Sequence, residues 1–185
     1  MKRILFIVLV LFLIVPAIAQ TINGWAYDID TKDFNLKFAV PDSWQEVSVN
    51  KLKTDICKEI ILKAFRPTPN STFLILVQKI DTYFPLEDYL EALNNAFADI
   101  LVRKLESGIV EYKNLRFAKF IIEGQGKGDT LFLEEGDIPT IRCIYLAVGK
   151  DYILQFVLTS PVSEYDNLKD LMDIILDNAS FFRKN

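Results

Sequence analysis

The chain has 185 residues, 51% of them hydrophobic, with 25 acidic side chains against 21 basic and a formal net charge of −4. It contains no histidine, which excludes Ser-His-Asp and Cys-His catalysis, imidazole acid–base chemistry and every His-containing zinc or copper site. The Lys and Arg residues form no cluster able to track phosphates, so a nucleic-acid partner is not expected.

The N-terminus reads Met1-Lys2-Arg3, an apolar run from Ile4 to Val15, then Pro16-Ala17-Ile18-Ala19-Gln20. A basic start, an apolar centre and a small-x-small site predict a cleavable secretory signal over residues 1–19, cut after Ala19. The stretch from Ile4 to Ala19 has 16 residues, short of the roughly 20 that a membrane-spanning helix needs. No cysteine stands at the cut site to accept lipid. The expected product is soluble and exported, periplasmic or extracellular, with no stable membrane anchor after cleavage.

Residues 20–33 read as an N-terminal arm or edge strand, with Trp25, Tyr27 and Ile29 alternating. Asp28, Asp30 and Asp33 within it lack the glycine and distal glutamate of a calcium loop and are expected to be solvated. Residues 34–185 read as one domain. Phe34, Leu36, Phe38 and Val40 share one face at period two, which is strand. Pro41-Asp42-Ser43-Trp44 turns the chain and leaves Trp44 to plug the end of the core.

Strands are expected at Ile56–Phe65 and Phe73–Ile80, the second nearly continuous in apolar residues and therefore covered on both sides. Pro85 opens a helix whose stripe is Leu86, Tyr89, Leu90, Leu93, Phe97, Ile100, Leu101 and Leu105. Arg103 and Lys104 fall near its last turn and Gly108 just past its exit. Strands follow at Ile109–Tyr112 and Phe117–Ile122. Gly124-x-Gly126-x-Gly128 is followed by the extended Asp129–Leu133 instead of a helix, so it reads as a hairpin loop and not a phosphate cradle.

Glu134, Glu135 and Asp137 form a second acidic loop. Thr140–Val148 and Tyr152–Thr159 make a hairpin through Gly149-Lys150-Asp151. Pro161 opens a final helix carried by Tyr165, Leu168, Leu171, Met172, Ile175 and Ala179 and running to Phe182. The order is β-β-β-α-β-β-β-β-α: an α+β chain with an antiparallel sheet of six to seven strands, covered by helices on both faces.

Cys57 and Cys143, the two cysteines, fall in predicted strands, where a disulfide and two buried thiols are both open. Trp25, Tyr27, Tyr83 and Phe84 lie at element edges, where aromatic side chains either pack or form a partner-contact patch. Neither a catalytic set, a metal site nor a cofactor site is indicated.

Together, Phe34-x-Leu36-x-Phe38, the Pro41-x-x-Trp44 turn, the helix opening at Pro85 and Leu86, and the Gly108 re-entry form a recognisable series. With the Tyr145 and Tyr152–Phe156 strands, the Pro161 break and the Tyr165 helix, the order resembles the Mog1/PsbP-like family, including its PsbP-related bacterial domains of unknown function. The resemblance implies an α/β/α sandwich, and binding or assembly proteins with no shared catalytic set. No functional motif of the family matches residues here. The expected function is a non-catalytic exported accessory or binding domain contacting an envelope or extracellular protein, a peptide or an apolar ligand. A carboxylate-based hydrolase and a small-molecule carrier are the alternatives.

Overall fold

The computed structural model describes residues 23–49, 59–98, 103–113, 115–126 and 138–184. The export signal, Cys57, and the Glu134, Glu135 and Asp137 loop therefore lie outside the described residues.

Ten strands and two helices are described, in the order β1 (Gly24–Asp30), β2 (Phe34–Pro41), β3 (Gln45–Glu46), β4 (Glu59–Arg66), β5 (Thr72–Lys79), α1 (Leu86–Ala98), β6 (Arg103–Tyr112), β7 (Leu115–Gly126), β8 (Ile138–Val148), β9 (Tyr152–Pro161), α2 (Val162–Asn178) and β10 (Ser180–Arg183). Seven of the strands form one sheet in the order β3-β4-β5-β9-β8-β7-β6, and every neighbouring pair is antiparallel. A second, three-stranded sheet has the order β1-β2-β10.

The register explains why β5, β8 and β9 are apolar on both faces. Phe65, Phe73, Leu158, Cys143 and Ile121 stand side by side across β4, β5, β9, β8 and β7. One residue along, Ala64, Leu74, Val157, Ile144 and Phe120 form the next row. Adjacent residues of a strand point to opposite faces, and the two rows fall in different hydrophobic clusters.

The first cluster also takes Phe34, Leu36, Phe38 and Val40 from β2 and Tyr165, Leu168, Met172, Ile175 and Leu176 from α2. A separate cluster buries Leu86 of α1 with Ala118, Leu146 and Ile153, and Leu90 and Leu93 pack against them. Trp44 closes one end of the first cluster, 5.2 Å from Phe73 between ring centroids. Phe73, Phe156 and Phe117 continue the aromatic series at 6.2 and 6.0 Å, within the favourable range for aromatic pairs.

Four sequence expectations need correction. The helix from Pro85 does not reach Leu105: α1 is described to Ala98, and Arg103, Lys104 and Leu105 already belong to β6. Gly108 is thus mid-strand, because pairing with β7 from Arg103 to Tyr112 overrides the local apolar repeat. The final helix ends at Asn178, where Ala179 turns extended, and Phe181 and Phe182 enter β10 beside β2. The predicted loop at Gly124–Gly126 is paired strand opposite Ile138–Thr140. Finally, β2 does not join the large sheet; with β1 and β10 it forms the small one.

Candidate functional site

Tyr165, Lys169 and Asp173 follow one another on α2 at four-residue spacing and share one flank, Tyr165 buried and the other two half-buried. Hydrogen bonds tie that flank to β6 and β8. Asp173 Oδ1 accepts hydrogen bonds from the Tyr112 hydroxyl at 2.5 Å and the Tyr145 hydroxyl at 3.1 Å, so one carboxylate oxygen ties the helix to two strands. Burial, first of all, pushes both phenols well above their ordinary value, and the adjoining Asp173 charge adds to it.

Lys119 stands in the middle of β7 and is 8% exposed. Its ammonium pairs with Glu106 Oε1 at 2.7 Å and lies 5.9 Å from the centre of the Tyr145 ring. Opposite Lys119 in the ladder is Gly108. A side-chain carbon placed at Gly108 would meet nothing within 4 Å, so β6, the edge strand of the large sheet, is open at this position.

Tyr165 is 7% exposed, and its buried hydroxyl is set against the Cys143 thiol, its hydrogen-bonding neighbour, with Glu106 and Asp173 close enough to act on its ionisation. Cys143 is a buried free thiol, and burial pushes its pKa up to about 12; a thiol so held is a poor nucleophile. Glu59, the described residue nearest in sequence to Cys57, stands level with Val148, well along β8 from Cys143.

The four aromatic residues singled out in the sequence do not meet. Tyr27 packs inward, stacked on Phe38 at 5.1 Å and edge-on to Phe65 at 5.3 Å, and its hydroxyl donates to Glu46 at 2.9 Å. Trp25 is 63% exposed and pairs with Val40, at the end of β2 that leads to Trp44. Tyr83 and Phe84, 57% and 49% exposed, lie past Lys79, which pairs with Tyr152. Tyr152 touches Phe34, at the opposite end of β2.

The acids Asp28 and Asp30 are neutralised locally, by Lys37 at 3.0 Å and Lys184 at 2.5 Å, and Asn35 donates to both. Among the described residues no group of three potential ligands is placed to hold a metal ion. A hydrolytic general acid needs a carboxyl held up. The displaced carboxyls here are held down: Asp28 by Lys37, Asp30 by Lys184, Glu46 by Lys63, Glu87 by its own backbone N–H, and Glu164 by Thr68. Among the described residues no helix is long and apolar enough to cross a membrane.

The Tyr112, Tyr145, Tyr165 and Asp173 constellation was not apparent in the sequence, because its members come from separate elements. One signal was present: a lysine at the centre of the apolar run Phe117–Ile122 must either reach solvent or find a partner.

No protein-family model matches the chain, and no curated protein matches it. Solved structures do. LpqN of Mycobacterium tuberculosis, described as involved in cell envelope biogenesis, is 10% identical with a TM-score of 0.57, covering 86% of this chain and 92% of LpqN. The cyanobacterial PsbP of Synechocystis sp. PCC 6803 is 11% identical with a TM-score of 0.50, over 86% of this chain and 99% of that protein. A Pseudomonas aeruginosa protein of unknown function, described as a putative regulator, is 11% identical with a TM-score of 0.50, over 83% and 95%. At such identities the likeness concerns the path of the backbone, and by that measure the chain has the Mog1/PsbP-like fold.

Proposed function

We propose that this chain is an exported, non-catalytic binding or accessory domain whose partner is an envelope or extracellular protein or peptide. The observation that carries this reading is the exposure of large aromatic side chains, Trp25 at one end of the fold and Tyr83 with Phe84 at the other. Such residues anchor protein contacts when they are left uncovered. The description of LpqN as involved in cell envelope biogenesis and the leader-like pattern of residues 1–19 support the export part.

An α/β/α sandwich, with α1 and α2 on opposite faces of the large sheet, belongs to the same reading. It is supported by the separation of their buried residues into different clusters. A disulfide between Cys57 and Cys143 would accompany an oxidising compartment, although Cys143 is a free thiol here.

The test is crosslinking in intact host cells that express the full chain with a C-terminal tag, followed by fractionation and mass spectrometry. The expected result is a product starting at Gln20 in the envelope fraction or the medium, crosslinked to one protein. Its capture should drop about fivefold or more in Trp25→Ser or Phe84→Ser. An uncut product in the cytoplasm would overturn export. Capture unchanged by both substitutions, or no capture, would overturn the partner reading.

A further inference from the structure

We propose that Asn23-Gly24 is a site of spontaneous backbone modification, where the asparagine closes onto the Gly24 amide and reopens as aspartate or isoaspartate. This goes beyond the protein-partner reading and does not depend on it.

Three observations meet at this pair. The first is in the sequence, where Asn23 is the only asparagine followed by glycine. Ring closure brings the Gly24 nitrogen onto the side-chain carbonyl carbon of Asn23, and a residue without Cβ leaves that approach open. The second is exposure: Asn23 and Gly24 are both exposed, and Asn23 stands just ahead of β1.

The third is the direction of the Gly24 N–H. Gly24 lies opposite Pro41, and one step further the Asp42 N–H donates to the Asn23 carbonyl at 3.4 Å. Hydrogen-bonded and non-bonded pairs alternate along an antiparallel ladder. Asn23 with Asp42 is therefore a bonded pair, and Gly24 with Pro41 a non-bonded one. The Gly24 N–H points away from β2, and β1 is an edge strand with no described strand on that side. Turning Asn23 about its Cα–C bond leaves its carbonyl in place, so the bond from Asp42 does not oppose closure.

The other asparagines followed by a small residue are held. The Ser71 N–H donates to the Thr68 carbonyl at 3.3 Å, Ser71 is buried, and Asn70 Nδ2 donates to Glu164 Oε1 at 3.4 Å. The Ala179 N–H donates to the Leu176 carbonyl at 3.1 Å, and Asn178 Nδ2 to the Ile174 carbonyl at 2.8 Å. Asn95 lies inside α1, where the Ala96 N–H is bonded within the helix.

The steps balance with water as the one co-reactant. The Gly24 nitrogen, losing its proton to hydroxide, bonds to Asn23 Cγ, the Cγ–Nδ2 bond breaks, and the amide leaves as ammonia. Water then opens the ring at either carbonyl, giving aspartate or isoaspartate. Nothing is oxidised or reduced. The product carries a new carboxylate close in sequence to the exposed Trp25.

The experiment is incubation of the purified full chain in mildly alkaline buffer, with and without urea, followed by peptide mass mapping that separates the two products. In the folded chain Asn23 is expected to convert at least about tenfold faster than Asn70 or Asn178, equivalent to a barrier lower by about 1.4 kcal/mol. Urea should speed Asn70 and Asn178 more than Asn23, since it releases only their amides. Gly24→Val, whose side chain suits an exposed strand position, should slow conversion at Asn23 about tenfold and leave the unfolding midpoint unchanged. The proposal is overturned if Asn23 keeps its amide while Asn70 converts in urea. It is equally overturned if urea speeds Asn23 as strongly as Asn70, or if the folded Gly24→Val chain converts as fast as the parent.

Discussion

Asp173 shows how much a single side chain can decide in this fold. On a helical wheel it is one of several acids on α2, beside Asp170 and Asp177, and nothing in the spacing separates it from them. In three dimensions one of its oxygens satisfies two largely buried phenols, from β6 and β8. Asp173→Ala would remove the acceptor that both hydroxyls share, leaving the two phenols to bond each other, and the expected loss is about 1–3 kcal/mol in urea unfolding. Tyr145→Phe removes one donor and leaves the acceptor with the other, so a loss of about 1 kcal/mol is expected. A loss for Asp173→Ala no larger than that for Asp170→Ala would show that the bridge contributes nothing. The same blindness applies to Tyr27, for which the sequence leaves packing and partner contact both open and which the structure stacks on Phe38 and sets edge-on to Phe65. Alternation tells which residues share a face, and not whether another layer covers that face.

At the scale of elements, the strongly patterned segments were legible. Phe34–Val40, Phe73–Ile80 and the hairpin of β8 and β9 read as strands because their periodicity and turn residues agree. The failures cluster where local pattern and long-range pairing disagree. Leu105 continues the three- and four-residue rhythm of α1, yet it lies in β6. Phe181 continues α2, yet β10 forms because β2 has an unpaired edge and Phe34 lies 5.4 Å from the Phe181 ring. Truncation after Ala179 tests that account. Removing β10 takes away the strand pairing and the burial of Phe181, and a loss of about 2–4 kcal/mol is expected from thermal or urea unfolding. An unchanged midpoint would mean that β10 is a passenger on the small sheet.

At the scale of the whole molecule, acid stability follows from carboxyls spread over several elements. Glu164, in the first turn of α2, accepts from Thr68 at 2.5 Å and Ser71 at 2.7 Å and so fastens the turn between β4 and β5 to the helix. Those hydrogen bonds hold its pKa below the ordinary 4.5. A carboxyl held down in the folded state stabilises the fold at pH values above its unfolded pKa. That contribution fades as pH falls through the lower, folded value. The unfolding midpoint is therefore expected to decline as pH drops below about 4.5, with Asp28, Asp30, Glu46 and Glu87 acting in the same direction. Glu164→Gln is expected to be less stable at neutral pH and to show a shallower acid limb. Parallel acid limbs for the two proteins would exclude Glu164 as a contributor.

The division between sequence and structure follows from the range of the forces involved. Composition and periodicity are local, and they determined the lack of imidazole chemistry, the leader-like N-terminus, most strands and the starts of both helices. The Mog1/PsbP-like likeness was also legible, since it rests on the order and spacing of those same elements. Only the tertiary structure decided that β1, β2 and β10 leave the large sheet to form their own. It alone separated Trp25 from Tyr83 and Phe84, brought Tyr112 and Tyr145 to Asp173, and set Tyr165 against Cys143. Those outcomes depend on register between strands distant in sequence, where a shift of one residue sends every side chain to the opposite face.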